Sequence, residues 1–218
     1  VEEALEDISK NKSPNVVTMI NTIKPYGRWE KICGKGRILP AFPGAGGCIE
    51  GGILDAQLLP RAIQPTTFGE IGGRKSSREE ALAYIFRKSH IPYQIVPEMH
   101  HWQISHLGVI IPLADAYYQS RHPEKICANE KLMTLTAYRM KKNLKWIAQK
   151  GMLCPAKLYM IKDMPTGMLA RVLSRVYQSE FGNRFLYRHA MHAPEEFQRL
   201  HQEFYNYMKT HTKESNKA

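Results

Sequence analysis

Two textures meet near residue 97, and that change constrains the fold more than any single motif. Up to residue 97, short apolar runs alternate with Gly/Pro turns. "NVVTMI" (15–20) reads as a buried β-branched strand, and "RILPAF" (37–42), "GGILDAQLL" (51–59), "AIQPTTFGEI" (62–71) and "PYQIV" (92–96) read as further strands. Between them, "SSREEALAYIFRKS" (76–89) is a helix with serines to cap it and Glu79 and Glu80 in its first turn. "VEEALEDISK" reads as the end of an amphipathic helix. From Glu98 onward the periodicity is helical throughout: a long apolar helix that Pro112 should kink, an amphipathic helix stopping at Gly151, and two more over 166–182 and 193–213. The tail "KESNKA" is expected to fray. The expected fold class is therefore α/β over residues 1–97, followed by an all-α domain over 98–218.

Charge narrows the partners. The chain carries a net +11, and the surplus is uneven: 13 Lys/Arg against 10 Asp/Glu up to residue 97, but 18 against 10 beyond it. The excess is spread along helical segments rather than gathered into a basic arm, which fits a small anionic substrate and no nucleic acid. No stretch approaches the roughly 20 uninterrupted apolar residues of a membrane span, so no membrane partner is expected. Four scattered cysteines without a C-x-x-C pair argue for reduced, mostly buried thiols and a cytoplasmic setting. The histidines His100, His101 and His106 lack the i, i+4 spacing of a helical ligand pair, and no metal site is expected. The chain opens on Val1 rather than Met, which reads as a fragment or a processed product.

Two glycine-rich stretches invite a phosphate reading and fail it. "AFPGAGG" (41–47) would need glycine at 49 to complete G-x-G-x-x-G, and Ile49 stands there. "GEIGGRKSS" (69–77) has Arg74 where a P-loop requires glycine. Asn21 is a better candidate, because it follows a strand directly, where an α/β sheet presents side chains to ligand. Its amide can both donate and accept hydrogen bonds. The competing reading is a turn-forming Asn before the Pro25 loop.

In their order and spacing, "NVVTMIN", "RILPAFPGAGG", "IQPTTFGEIGG", the helix opening on Ser-Ser-Arg, and "MHHWQISHLGVIIPLADAYY" resemble the ketopantoate reductase (2-dehydropantoate 2-reductase) family. The likeness runs from about residue 13 to 120 and is best over 37–73 and 98–118. It implies a partial Rossmann-type domain that binds NADP (NADPH) and a helical domain that closes over substrate and can form a homodimer. Hydride would pass to a 2-oxo acid or a related hydroxy compound. On this resemblance Asn21 sits between nicotinamide and substrate. Pro43, Gly44, Ala45 and Gly46 form a turn bordering the nicotinamide, and Glu70 lies close to the nucleotide.

The sequence also departs from the family pattern. Only 20 residues precede Asn21, so the phosphate-binding turn and the first βαβ unit of the family have no counterpart, and the chain by itself is not expected to bind NADPH in the family manner. The family lysine that follows the Trp matching Trp102 is absent, since no lysine occurs from 98 through 120. The family carboxylate has no match in "MPTGMLARVLSRVYQSEFGNRF". A developing alkoxide still needs a proton or a hydrogen bond. His106 is the candidate acid, against a packed structural histidine, and Gln103 is the candidate substrate contact. The alternative to a divergent reductase is a catalytically silent relative acting as a ligand-sensing or dimerising module.

Overall fold

The computed structural model describes residues 2–215. The chain divides into two compact units: the chain up to Gly46 together with Ala56–His100, and Gly47–Asp55 together with His101 onward.

In the first unit, α1 (Glu2–Lys10), β1 (Val16–Met19), α2 (Gly27–Cys33), β2 (Ile38–Phe42), β5 (Thr66–Phe68), α3 (Ser77–Lys88) and β6 (Tyr93–Ile95) form an α/β layer. A hairpin of β3 (Ala45–Glu50) and β4 (Ile53–Leu58) intervenes, turning on Gly51 and Gly52, which both have the positive φ of a tight hairpin turn. The four-stranded sheet has the order β1-β2-β5-β6. β1 and β2 are parallel with Met19 opposite Ala41, β2 and β5 antiparallel with Ala41 opposite Phe68, and β5 and β6 parallel. The fold class is the one expected: a small mixed sheet consistent with part of a Rossmann-like domain, followed by helices alone.

Side chains alternate along a strand, so Ile38 and Ala41 point to opposite faces of β2. Ile38 packs with Leu5 of α1 and Tyr26, Trp29 and Cys33 at α2, while Ala41 packs with Phe68 and with Ala83 and Phe86 of α3. The central sheet is thus covered on both sides, which is why "ILPAF" is buried almost throughout. Pro40 is tolerated in this central strand for a local reason. It lies opposite Gly69, just past the end of β5, and makes the one bond that pair can make, its carbonyl accepting from Gly69 N at 3.2 Å. Gly69 itself has no room for a side chain, because a Cβ would come 2.0 Å from the Val96 carbonyl oxygen.

β1 differs from its sequence reading. As an edge strand it alternates half-buried and exposed positions, and Val17 and Met19 are exposed. Val16 joins the cluster under α1 and α2, but the opposite face of this edge is uncovered. The expected strand over 62–71 contracts to Thr66–Phe68, and α2 and α6 appear where no helix was read. Both are only seven residues long, too short for a periodic signal. Ser76 caps α3 as anticipated, its Oγ accepting from Glu79 N at 3.2 Å.

In the second unit, α4 (Met99–Gln119), α5 (Glu130–Gln149), α6 (Lys157–Asp163), α7 (Thr166–Gln178), α8 (Arg188–His192) and α9 (Pro194–Ser215) form a helical bundle. A 3-10 turn (Pro123–Ala128) and a π-helical turn (Gly182–Tyr187) complete it. Trp102, Ile104, Leu107, Ile111, Ala114 and Tyr117 of α4 are all buried, as suits a helix surrounded by others. α9 contributes Phe197, Leu200 and Phe204 at i, i+3, i+7. The tail expected to fray is helical through Ser215, and its last three residues lie outside the described range.

α4 runs unbroken through Pro112. Proline has no N–H for the carbonyl four residues back and crowds it. That carbonyl belongs to Gly108, and Asn143 Nδ2 of α5 donates to it at 3.2 Å. Asn143 is itself buried, so a side chain from the next helix replaces the backbone bond that Pro112 removes. Gly108 also allows the close approach, since a Cβ there would meet Ile147 Cδ1 at 2.7 Å.

Candidate functional site

The first unit gathers some of the candidate residues and separates others. β1 and β2 are parallel and in register, so the residues that follow them leave the sheet at the same, carboxyl edge. Asn21 and the Pro43–Gly44 segment therefore lie at one edge, the place where α/β sheets hold ligands. Asn21 is half-buried, and its side chain has no hydrogen-bond partner among the described residues.

The loop that follows Asn21 is tied down. Thr22 Oγ1 accepts from Lys24 N at 3.0 Å, and His100 Nε2 meets the Ile23 carbonyl at 2.8 Å. Tyr26 is buried between Trp29 and the His100 ring, and burial first, then the Glu98 carboxylate, pushes its phenol far above the ordinary range. His100 is thus a positioning residue, in line with the ordinary polar or capping histidine that the sequence favoured over a metal ligand. Its partner is 77 residues away, and nothing local announces it.

One expectation for this unit needs correction. "AFPGAGG" is not a free turn: it passes from β2 through Pro43 and Gly44 directly into β3. Gly44 is required by the chain itself. A Cβ would come 2.2 Å from Thr66 N and 2.4 Å from the Pro65 carbonyl carbon, and Gly44 N donates to Thr66 Oγ1 at 3.0 Å. The close approach of backbone read from these glycines is, at Gly44, an approach to residues 64–66.

Glu70 is placed apart from these residues. It follows β5, which runs against β2, so it stands at the opposite edge of the sheet from Asn21. There Arg78 Nε donates to Oε1 at 2.7 Å and Nη2 to Oε2 at 2.5 Å, while Ser76 Oγ donates to Oε1. Arg78 also reaches the carbonyls of Gly36 and Ile38. This network fastens the start of α3 to the start of β2. The Arg78 hydrogen bonds hold the Glu70 carboxyl below the usual carboxylate range.

In the second unit, Gln103 and His106 lie one turn apart on the same side of α4. Gln103 is buried. The His106 ring stacks on Trp102, with centroids 5.0 Å apart and planes 8° from parallel. Burial first, then His189, pushes His106 down to about 3, so the ring is neutral at pH 7. Burial therefore disfavours the imidazolium form considered for it. Charged pairs among the described residues of this unit include His201 Nδ1 against both oxygens of Asp115 at 2.9 Å, and Arg184 Nη2 against both oxygens of Asp55 at 2.7 and 2.8 Å. No group of three or more His, Cys, Asp or Glu among the described residues is arranged to hold a metal ion. Cys33 is buried, but Cys127 and Cys154 are only half-buried.

No described helix is long and apolar enough to cross a membrane. No protein-family model matches the chain, and no curated protein matches it. Among solved structures it is similar to 2-dehydropantoate 2-reductase from Porphyromonas gingivalis W83, with a TM-score of 0.45 and 12% identity over 88% of this chain, which spans 64% of the length of that one.

Proposed function

We propose that this chain is part of an NADP-dependent oxidoreductase of the ketopantoate reductase type, acting between NADPH and a 2-oxo acid or related hydroxy compound. The observation that carries the reading is the parallel register of β1 and β2, which delivers Asn21 and Pro43–Gly44 to one carboxyl edge. The nicotinamide end fits the residues at that edge, since Asn21 has an amide with no partner among the described residues. NADPH, when bound, supplies the hydride. Asn21 donates its amide N–H to the substrate oxygen and steadies the charge that grows on it. Ala45 and Gly46 continue the same backbone beside it. Gln103 is the substrate contact from the helical domain, and the basic excess of that domain suits an anionic substrate. Tyr138, Met160 and Met168 are exposed there, which favours a homodimer formed through it, in a cytoplasmic protein.

The neutral His106 favours the second reading, a catalytically silent relative that senses a ligand or dimerises. One experiment separates them: NADPH fluorescence titration and 2-oxo acid-dependent NADPH oxidation by the complete protein that carries this chain. The reductase reading expects binding and turnover, with kcat reduced about 100-fold in Asn21→Ala. Binding without turnover on any oxo acid selects the silent relative, and no NADPH binding overturns both cofactor assignments.

A further inference from the structure

The second unit contains a cavity of about 480 Å³ between the amino end of α5 and the outer face of α7. Its walls are two helical faces, each presenting polar groups one turn apart. Glu130 and Thr134 are at i, i+4 on α5, and Arg171 and Arg175 are at i, i+4 on α7. Ser174 and Cys127 close one end, joined by a hydrogen bond from Ser174 Oγ to the Cys127 carbonyl at 2.8 Å. Met133 and Ala170 supply an apolar floor. The size lies within the usual range for small-molecule sites.

The charges in this cavity are unspent. Among the described residues, neither Arg171 nor Arg175 is ion-paired or hydrogen-bonded, and the Glu130 carboxylate across the cavity has no partner either. Opposite charges therefore line one cavity beyond pairing distance, the arginines on its α7 wall and the glutamate on its α5 wall, and both are left for an occupant.

We propose that this cavity binds a small molecule with an oxyanion, phosphate or carboxylate, at one end and an ammonium or hydroxyl group at the other. Two guanidinium forks one turn apart on the α7 wall supply donors to the oxyanion. Glu130 and the Thr134 oxygen, one turn apart on the α5 wall, accept from the other end. The site lies wholly within the helical unit and is independent of the proposed reductase chemistry.

The test uses three probes: O-phosphoethanolamine, inorganic phosphate and succinate. Binding is measured by titration calorimetry and by protection of Cys127, which lines the cavity, from iodoacetamide, read by peptide mass spectrometry with Cys154 as internal control. O-phosphoethanolamine should bind and slow alkylation of Cys127 but not of Cys154. Inorganic phosphate, lacking the cationic end, should bind more weakly, and the succinate arm tells whether carboxylate substitutes for phosphate. Arg171→Gln and Arg175→Gln should each weaken binding about tenfold, the loss of one charge-assisted contact. Glu130→Gln should bring O-phosphoethanolamine down to the affinity of phosphate. All three side chains are exposed, so the variants should fold, which circular dichroism checks. Absence of both heat and Cys127 protection with every probe up to about 10 mM, weaker than a millimolar site, overturns the proposal. So does binding that the arginine substitutions leave unchanged.

Discussion

Asn143 Nδ2 donates to the carbonyl of Gly108 at 3.2 Å, the carbonyl that Pro112 deprives of its helical donor. The side chain of one helix thus mends the backbone of another, and the two positions should be energetically coupled. Asn143→Leu leaves a buried carbonyl unpaired and should cost about 1–3 kcal/mol. Pro112→Ala restores an N–H to the same carbonyl. In urea unfolding, the double variant should therefore lose clearly less than the sum of the two single losses. Additive losses would show that the bond has no bearing on stability.

Glu70 and Arg78 should give the first unit part of its acid sensitivity. The folded-state pKa of Glu70 is held below its unfolded value, so its contribution is fully present above about pH 4.3, the ordinary glutamate value. It is lost as pH falls from there through the depressed folded value. Glu70→Gln should lower the melting temperature at neutral pH by an amount corresponding to about 2 kcal/mol, for a pair that is largely but not fully buried. Thermal melts of wild type and variant should converge as the pH drops below about 4.

Gly44→Ala tests whether this glycine serves the fold. Its added methyl would meet the backbone of residues 64–66, which cannot rotate away, and the cost should be about 3 kcal/mol. Gly27→Ala is the control, since nothing lies within 4 Å of its Cβ position, at the start of α2. It should be neutral or stabilising by about 0.5 kcal/mol. Equal effects in denaturant melts would contradict the steric account.

His106 should not titrate near neutrality. Its folded pKa is depressed to about 3, so the unfolded state takes up the proton first, near pH 6.5. Stability associated with His106 is complete above about 6.5 and declines as pH falls toward 3. NMR should show the His106 ring unprotonated at pH 5. In His106→Leu, the slope of stability against pH between about 6 and 4 should be shallower than in the wild type.

Much of this architecture was legible in the residues. The α3 cap at Ser76 and the stop of α5 before Gly151 follow from local rules about capping and positive φ. The long α4 also declared itself, because an apolar helix needs only its own periodicity. The edge position of β1 was not legible, because "VVTM" reads the same whether one face or both are covered. The short α2 and α6 carry too few residues to display a period.

The candidate site divides along the same line. The sequence by itself determined the α/β-then-helical order of the chain, the strand that precedes Asn21, and the glycines that demand close backbone approach. Only the tertiary structure decided what those glycines approach and which candidates share an edge. Strand direction is set by non-local pairing: parallel β1 and β2 keep Asn21 with Pro43–Gly44, while antiparallel β5 carries Glu70 to the far side and into the hands of Arg78. The state of His106 was likewise beyond the sequence, because a histidine's charge depends on the desolvation it meets after packing, not on its neighbours in the chain.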